Sequence, residues 1–106
     1  MTRDEFLAAA GEIINGQRAL DYGPADENHD RIAEIWSVVF GHPVTRQQVV
    51  AAMVGVKLAR LANPLQPDMD HKDTWVDICG YGALGGEMTS ATELEVRPIE
   101  KRSSAL

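Results

Sequence analysis

Breaks rich in glycine and proline divide this chain into segments whose apolar residues recur at helical spacing. The breaks are Asp21-Tyr22-Gly23-Pro24, Gly41-His42-Pro43 and Asn63-Pro64, and sequences of this kind end helices. Between the breaks the apolar residues follow a period near 3.6, and no segment shows the alternation typical of a strand. The sequence therefore predicts an all-α fold, a single domain resembling a four-helix bundle.

The first two helices are predicted over about residues 2–20 and 25–40. Thr2 and Glu5 form a capping-box pattern, in which each side chain satisfies a free backbone amide of the first turn. In the second helix, apolar residues recur at i, i+3, i+4, i+7 and i+8, which makes an amphipathic stripe. The members of this stripe are Ile32, Ile35, Trp36, Val39 and Phe40.

The third helix is predicted from a second capping box, formed by Thr45 and Gln48, to about Ala62. Its apolar residues between positions 49 and 61 lie nearly all the way round the helix. A helix that is apolar on every side is usually central and buried. We therefore expect this helix to lie in the middle of the bundle.

The fourth helix is predicted to begin with Asp70 as its N-cap and to end at Leu84 or Met88. Four glycines between positions 80 and 86 indicate either a close approach of backbones or an early helix end, because glycine disfavours a helix by about 1 kcal/mol. Residues 89–106 are rich in Ser, Thr and Glu without a sustained period. We expect an all-α domain over residues 1–88 and a flexible tail over residues 89–106.

Composition excludes several classes of protein. The 106 residues hold 10 basic and 16 acidic side chains, a net charge of -6, whereas duplex-binding proteins normally show a basic surface. One cysteine, Cys79, excludes an intrachain disulfide framework. The longest apolar run, residues 49–56, is too short to span a bilayer. We expect a cytoplasmic protein without DNA-duplex or membrane partners, in which a thin core favours self-association.

Lys57 and Arg60 lie on the side of the third helix that is expected to be buried. At 100° per residue, Arg60 projects close to Val49 and Met53, and Lys57 about 60° further round. A buried cation needs an acidic partner, a bound anion or a route to water. The spacing leaves open a structural ion pair, a phosphate site, or long side chains that reach solvent from the helix end.

Acidic side chains form two sets on different helices. Asp73 and Asp77 are four residues apart, so they share one face and repel each other unless a cation lies between them. Oxygen ligands of this kind suit magnesium or manganese. Alternatively, Asp73 stabilises the helix N-terminus and Asp77 pairs with Lys57 or Arg60. Glu27, Asp30 and Glu34 form the second set, as a solvated face or as part of a metal site.

The histidines give weaker signals. His29, His42 and His71 lie in different segments and lack the spacing of a zinc site. We interpret all three as surface or capping residues. Cys79 lies among apolar residues and is interpreted as a small buried side chain.

Several short stretches together resemble a group of small phage and prophage proteins, over roughly residues 5 to 88. The stretches are Arg18-Ala19-x-x-Tyr22-Gly23, Glu27-Asn28, Ile32-Ala33-Glu34-Ile35-Trp36-Ser37, Lys57-x-x-Arg60 and Asp73-x-Trp75-x-Asp77-x-x-Gly80-Tyr81. That group looks like a relative of the MazG-type all-α nucleoside triphosphate pyrophosphohydrolases. If the chain is phage-encoded, its expected location is the cytoplasm of the bacterial host.

The MazG-type resemblance implies a homodimer or homotetramer that holds magnesium with carboxylates from two helices. It also implies hydrolysis of a nucleoside triphosphate to the monophosphate and pyrophosphate. MazG-type enzymes carry E-x-x-E on one helix and E-x-x-D on a later one. Here the first helix offers Glu27-x-x-Asp30 with Glu34 one turn on, and the second offers Asp73-x-x-x-Asp77, which is one residue longer. These departures leave open a protein that binds nucleotides without hydrolysing them.

The leading hypothesis is a magnesium-dependent nucleotide pyrophosphohydrolase. Glu27, Asp73 and Asp77 are its metal ligands, and Glu34 is a fourth ligand or the base that activates water. Glu34 and Asp77 are thus its catalytic residues. The phosphate- and nucleotide-binding residues are Lys57, Arg60, Arg18, Tyr22, Asn28 and Tyr81. One alternative is a phage protein that sequesters a nucleotide or a nucleotide second messenger of bacterial defence. A second alternative is a structural or protein-binding helical domain, in which Lys57, Arg60, Asp73 and Asp77 form an internal ion network.

Overall fold

A computed structural model describes residues 1–16, 23–65 and 70–96, with side chains through residue 90. Within these ranges the chain forms four helices and no strand. The helices are α1 (Arg3–Asn15), α2 (Ala25–Phe40), α3 (Arg46–Leu61) and α4 (Lys72–Val96). The predicted all-α class is thus confirmed for the described residues. None of these helices is both long enough and apolar enough to cross a membrane.

Helix α1 begins with the predicted capping box. The Thr2 hydroxyl accepts a hydrogen bond from the Glu5 amide at 3.2 Å, and the Thr2 amide donates to the Glu5 carboxylate at 3.1 Å. The hydrogen bond from the Thr2 amide favours the ionised carboxylate and lowers the pKa of Glu5. The helix ends at Asn15, earlier than the predicted residue 20, and Gly16 follows as its C-cap. Residues 17–22 lie outside the described residues.

Helix α2 has the predicted bounds, because its end is set by local chemistry. Gly41 adopts the left-handed conformation, with φ 73°, and its amide donates to the Ser37 carbonyl at 3.0 Å. The side of α2 that is buried carries His29 and Ala33. The predicted stripe is turned largely toward solvent: Ile35, Val39 and Phe40 are each more than 60% exposed, while Ile32 and Trp36 are half-buried.

Helix α3 is central in position but only partly buried. Its N-terminus carries the predicted capping box, in which Thr45 and Gln48 exchange hydrogen bonds of 2.9 and 3.1 Å. The helix packs against both α2 and α4. Val49 and Val50 are its buried residues, whereas half of Val56 remains exposed. The prediction that α3 is buried on every side is wrong for the single chain, because α2 and α4 leave part of its circumference uncovered.

Helix α4 differs from its prediction at both ends. It begins at Lys72, and the His71 carbonyl accepts the Trp75 amide at 3.0 Å. Asp70 therefore lies one residue before the N-cap, where its carboxylate accepts the Lys72 amide at 3.0 Å. This hydrogen bond lowers the pKa of Asp70. The helix continues past Met88 to Val96, into the stretch predicted as tail, and residues 97–106 lie outside the described residues.

Two glycines let α4 lie close to its neighbours. A Cβ at Gly80 would meet Ile14 Cγ2 of α1 at 3.1 Å, and one at Gly85 would meet Val50 Cγ1 of α3 at the same distance. Of the two explanations offered for the glycines of this helix, a close approach to neighbouring helices is therefore correct for Gly80 and Gly85. The core around these contacts is small. Its buried apolar residues, among those described, are Ala10, Ala33, Val49, Val50, Val76 and Met88.

Candidate functional site

A cavity of about 320 Å³ lies where the four helices meet. Most of its wall is apolar and is contributed by all four elements. The apolar lining consists of Ala10, Ile13 and Ile14 of α1, Ile32 of α2, Met53 of α3, and Val76 and Leu84 of α4, together with Gly23, Ala25 and Gly80. Four polar side chains complete the lining: Asn28, His29, Asp77 and Tyr81. An apolar cavity with a few convergent polar groups is the usual form of a small-molecule site.

An ion pair between α3 and α4 lies at the wall of this cavity. Lys57 Nζ lies 2.9 Å from Asp77 Oδ2, and the two side chains are only 15% and 12% exposed. Asp77 itself lines the cavity, and Lys57 follows the lining residue Met53 by one helical turn. The position of Lys57 on the inner side of α3 is thus explained by an acidic partner, which was one of the alternatives left open by its spacing.

His29 is buried in the cavity wall, at 6% exposure, so its interpretation as a surface or capping residue was wrong. Its Nδ1 lies 2.7 Å from the Ala25 carbonyl oxygen. Because a carbonyl oxygen can only accept, Nδ1 carries the proton in this bond. The ring also meets Tyr81 edge to face, with 6.4 Å between centroids.

The spacing of His29 gave a signal that could have placed it in the core. It precedes Ile32, Ala33 and Trp36 by three, four and seven residues, so it shares their side of α2. A histidine at such a position can be buried if a nearby carbonyl satisfies its N–H. In α2 the carbonyl of Ala25, one turn earlier, does so.

The structure brings together four of the predicted site residues. Asn28 and Tyr81 line the same cavity as Asp77, and Lys57 lies outside the lining but pairs with Asp77. Asn28 also accepts a hydrogen bond from Arg31 Nη2, at 3.4 Å, through its side-chain oxygen. Two helices, α2 and α4, therefore supply the polar groups of the cavity, and α3 supplies the cation beside them.

The remaining predicted site residues are not gathered there. Glu27 and Glu34 are exposed on α2, Asp73 is exposed in the first turn of α4, and Arg60 is exposed near the end of α3. Among the described residues, no three His, Cys, Asp or Glu side chains lie close enough together to hold a metal ion. The carboxylates assigned to magnesium thus do not form a cage within the described part of one chain. Arg18 and Tyr22 lie outside the described residues.

Arg46 makes a second connection that the sequence analysis did not identify. Its guanidinium binds Asp30 through two hydrogen bonds, Nε to Oδ1 at 2.8 Å and Nη2 to Oδ2 at 2.6 Å. Its Nη1 also lies 3.9 Å from an Asp26 carboxylate oxygen. This planar, bidentate contact ties α2 to the start of α3. Asp30, predicted as part of an acidic face, therefore has a basic partner.

Comparison with known proteins places the chain in a family. Residues 5–89 match the domain of unknown function DUF6378. The chain belongs to the DUF6378 family. The match includes α1 from Glu5 onward, all of α2 and α3, and most of α4, so the DUF6378 domain contains the whole cavity lining and the Lys57–Asp77 ion pair.

A relative of this DUF6378 protein is the Gene 55 protein of Mycobacterium phage L5. The two are 46% identical over 80 residues, which cover 74% of this chain and 49% of the relative. The chain thus spans about half the length of that phage protein. The expected likeness to phage proteins is confirmed by this match, whereas the resemblance to MazG-type enzymes stays a prediction. No solved structure matches the chain.

Proposed function

We propose that this DUF6378 domain binds a nucleotide, or a small molecule derived from one, in the cavity between its four helices. The observation that carries the proposal is the ion pair of Lys57 and Asp77 at the wall of an otherwise mostly apolar cavity. An ion pair that is largely removed from water adds little stability compared with well-packed apolar residues. The Lys57 ammonium in such a place can contribute to ligand binding, because the phosphate of a ligand can pair with it as Asp77 does.

The size and chemistry of the cavity support this ligand class. Its volume of about 320 Å³ is at the lower end of the range of small-molecule sites, about 300–1,000 Å³. The apolar wall suits the faces of a nucleobase, and the Tyr81 ring adds an aromatic surface. Asn28 and His29 offer an amide and a ring nitrogen for hydrogen bonds to the edge of a base. In this arrangement Lys57 pairs with the phosphate group of the nucleotide.

Calorimetry with the purified chain tests the proposal, using nucleoside mono-, di- and triphosphates and cyclic dinucleotides, each with and without EDTA. We expect at least one of them to bind. Lys57→Met should weaken that binding by roughly 10- to 100-fold, the equivalent of one charge-assisted hydrogen bond. Lys57→Arg keeps the cation and should retain most of the affinity.

Two further variants make the calorimetry specific. Lys72→Met is the matched control, because Lys72 is an exposed lysine that also has an acidic neighbour, Asp70. Asn28→Ala alters the cavity without touching the ion pair, and it should also weaken binding. If no nucleotide binds, or if Lys57→Met and Asn28→Ala bind as the wild type does, the domain has another role, such as a structural one.

Hydrolysis of a triphosphate to the monophosphate and pyrophosphate is the second candidate, and the position of Asp77 in the cavity wall favours it. The described residues of one chain do not form a three-carboxylate metal cage, and magnesium at such a site is usually held by one or two carboxylates together with the phosphates of the substrate. Pyrophosphate release in the presence of magnesium tests this activity. A rate that is the same in Asp77→Asn and the wild type would exclude Asp77 as a catalytic residue of this reaction.

A further inference from the structure

Helix α2 forms one wall of the cavity but has little apolar packing to hold it in place. Among the described helices it packs chiefly against α3, whereas α4 packs against both α1 and α3. The buried residues of α2 are His29 and Ala33, while larger apolar side chains such as Val38, at 84% exposure, lie outside. A segment with few buried apolar contacts opens more easily than the rest of a fold. The position of α2 therefore depends strongly on its polar contacts.

Two polar contacts fasten α2 to the chain around the start of α3. Near the end of α2, the Val44 amide donates a hydrogen bond of 2.8 Å to Ser37 Oγ. About two turns earlier in α2, the Asp30 carboxylate accepts two hydrogen bonds from the guanidinium of Arg46, the first residue of α3. Asp26 lies 3.9 Å from the same guanidinium. We call the contact of Arg46 with these two aspartates the Arg46 clamp.

The Arg46 clamp lies beside the cavity, and none of its three residues lines it. The turn that it holds, residues 26–30, carries Asn28 and His29, which are the polar lining residues of α2. The polar lining residues of α4 are Asp77 and Tyr81. One ligand can contact both sets only while α2 and α4 keep their spacing. The clamp thus acts on the geometry of the cavity from outside it.

We propose that Arg46 is a positioning residue for this cavity, because its clamp fixes the tilt of α2 relative to α4. Without the clamp, the contact at Ser37 becomes the pivot of the helix. Asn28 precedes Ser37 by nine residues, about 13 Å along the helix, so a tilt of about 10° moves it by about 2 Å. Such a displacement breaks a hydrogen bond from Asn28 to a ligand that α4 holds, since these bonds do not extend beyond about 3.5 Å.

Proton NMR of the full chain without a ligand measures the position of α2. The rings of His29 and Tyr81 lie edge to face with 6.4 Å between centroids, so their protons should give a nuclear Overhauser effect, which weakens steeply with distance. Arg46→Met should remove or strongly weaken this signal. The corresponding signal between Ile14 and Gly80, where α1 contacts α4, should persist and shows that the variant is folded.

Two further variants make the NMR measurement specific. Arg3→Met is the matched control, because Arg3 is the first residue of α1, as Arg46 is of α3, and it is exposed. This control should keep the wild-type signal between His29 and Tyr81. Asp30→Ala removes the other side of the clamp and should weaken the signal as Arg46→Met does. A wild-type signal in Arg46→Met or in Asp30→Ala, or an equal loss in Arg3→Met, would overturn the proposal.

The effect on binding rests on the proposed function, whereas the position of α2 does not. In calorimetry with nucleoside mono-, di- and triphosphates, Arg46→Met should weaken binding by roughly 2- to 30-fold without touching the ligand, and Arg3→Met should leave it unchanged. If none of these nucleotides binds the wild type, the proposed function is wrong, and the NMR comparison still decides the role of Arg46. If Arg46→Met loses the ring signal but binds a nucleotide as the wild type does, the tilt of α2 has no part in binding and the positioning role is refuted.

Discussion

A double-mutant cycle on Lys57 and Asp77 measures how strongly α3 and α4 are held by their ion pair. The two groups lie 2.9 Å apart and are 15% and 12% exposed. Breaking a fully buried pair on one side costs about 3–5 kcal/mol. An exposed pair contributes about 0–1 kcal/mol. The low exposure of both partners puts this pair near the buried limit, so we expect each single variant to lose about 2–4 kcal/mol.

The double variant should behave differently from the sum of the single ones. Asp77→Leu leaves the Lys57 ammonium without a partner, and Lys57→Met leaves the Asp77 carboxylate without one. The variant that carries both changes has neither charge and keeps a similar volume, so we expect its free energy of unfolding to lie within about 1 kcal/mol of the wild type. The coupling energy is then at least about 3 kcal/mol, which is at the upper end of the range for residues in direct contact.

Urea unfolding followed by far-ultraviolet circular dichroism supplies these free energies for the four proteins of the cycle. Single losses below about 1 kcal/mol that simply add in the double variant would refute the reasoning, because the pair would then behave like an exposed one. Measurements at low and high salt give an independent check. A pair that is largely excluded from water should be screened only slightly.

Two other local features give predictions for the same unfolding assay. Gly80→Ala should destabilise the chain by about 1–3 kcal/mol, because its Cβ would lie 3.1 Å from Ile14 Cγ2, whereas Gly82→Ala, with nothing within 4 Å, should stabilise it by up to about 1 kcal/mol. Equal effects at the two glycines would contradict the close approach. Asp70 has a lowered pKa, so its stabilising effect is present above the unfolded pKa and is lost as pH falls through the folded one. Asp70→Ala should remove this part of the acid dependence, and an unchanged pH profile would argue against the Lys72 amide contact.

The ends of the helices were predictable where local chemistry sets them. Thr45 with its capping box and Gly41 with its left-handed conformation place the boundaries of α2 and α3 without help from the rest of the fold. Helix α4 was harder, because its glycines disfavour a helix locally. Contacts of Gly80 with α1 and of Gly85 with α3 occur only in the folded chain, and they compensate for that local preference.

The candidate site was predictable only in part. The spacing of Lys57 and Asp77 indicated that each needed a partner, and mutual pairing was among the alternatives. Periodicity gives the relative angles of side chains on one helix, but not which side turns to the neighbours. For that reason the apolar stripe predicted on α2, which includes Ile35 and Val39, was expected to pack against the other helices. In the structure His29 and Ala33 occupy the buried side instead. The orientation of α2 depends on its contacts with other helices, and the periodicity of a single helix carries no information about those contacts.

The packing of α1 against α4 has a consequence for the synthesis of the chain. These helices stand at opposite ends of the described sequence, and Ile14 meets Gly80 only after the intervening residues have folded back. On the ribosome α1 emerges before α3, and its docking surface on α4 emerges after both. The adjacent helices α3 and α4 need only a short loop to meet, so we expect them to pair before α1 docks. Until then the apolar side of α1 is exposed to whatever surrounds the nascent chain.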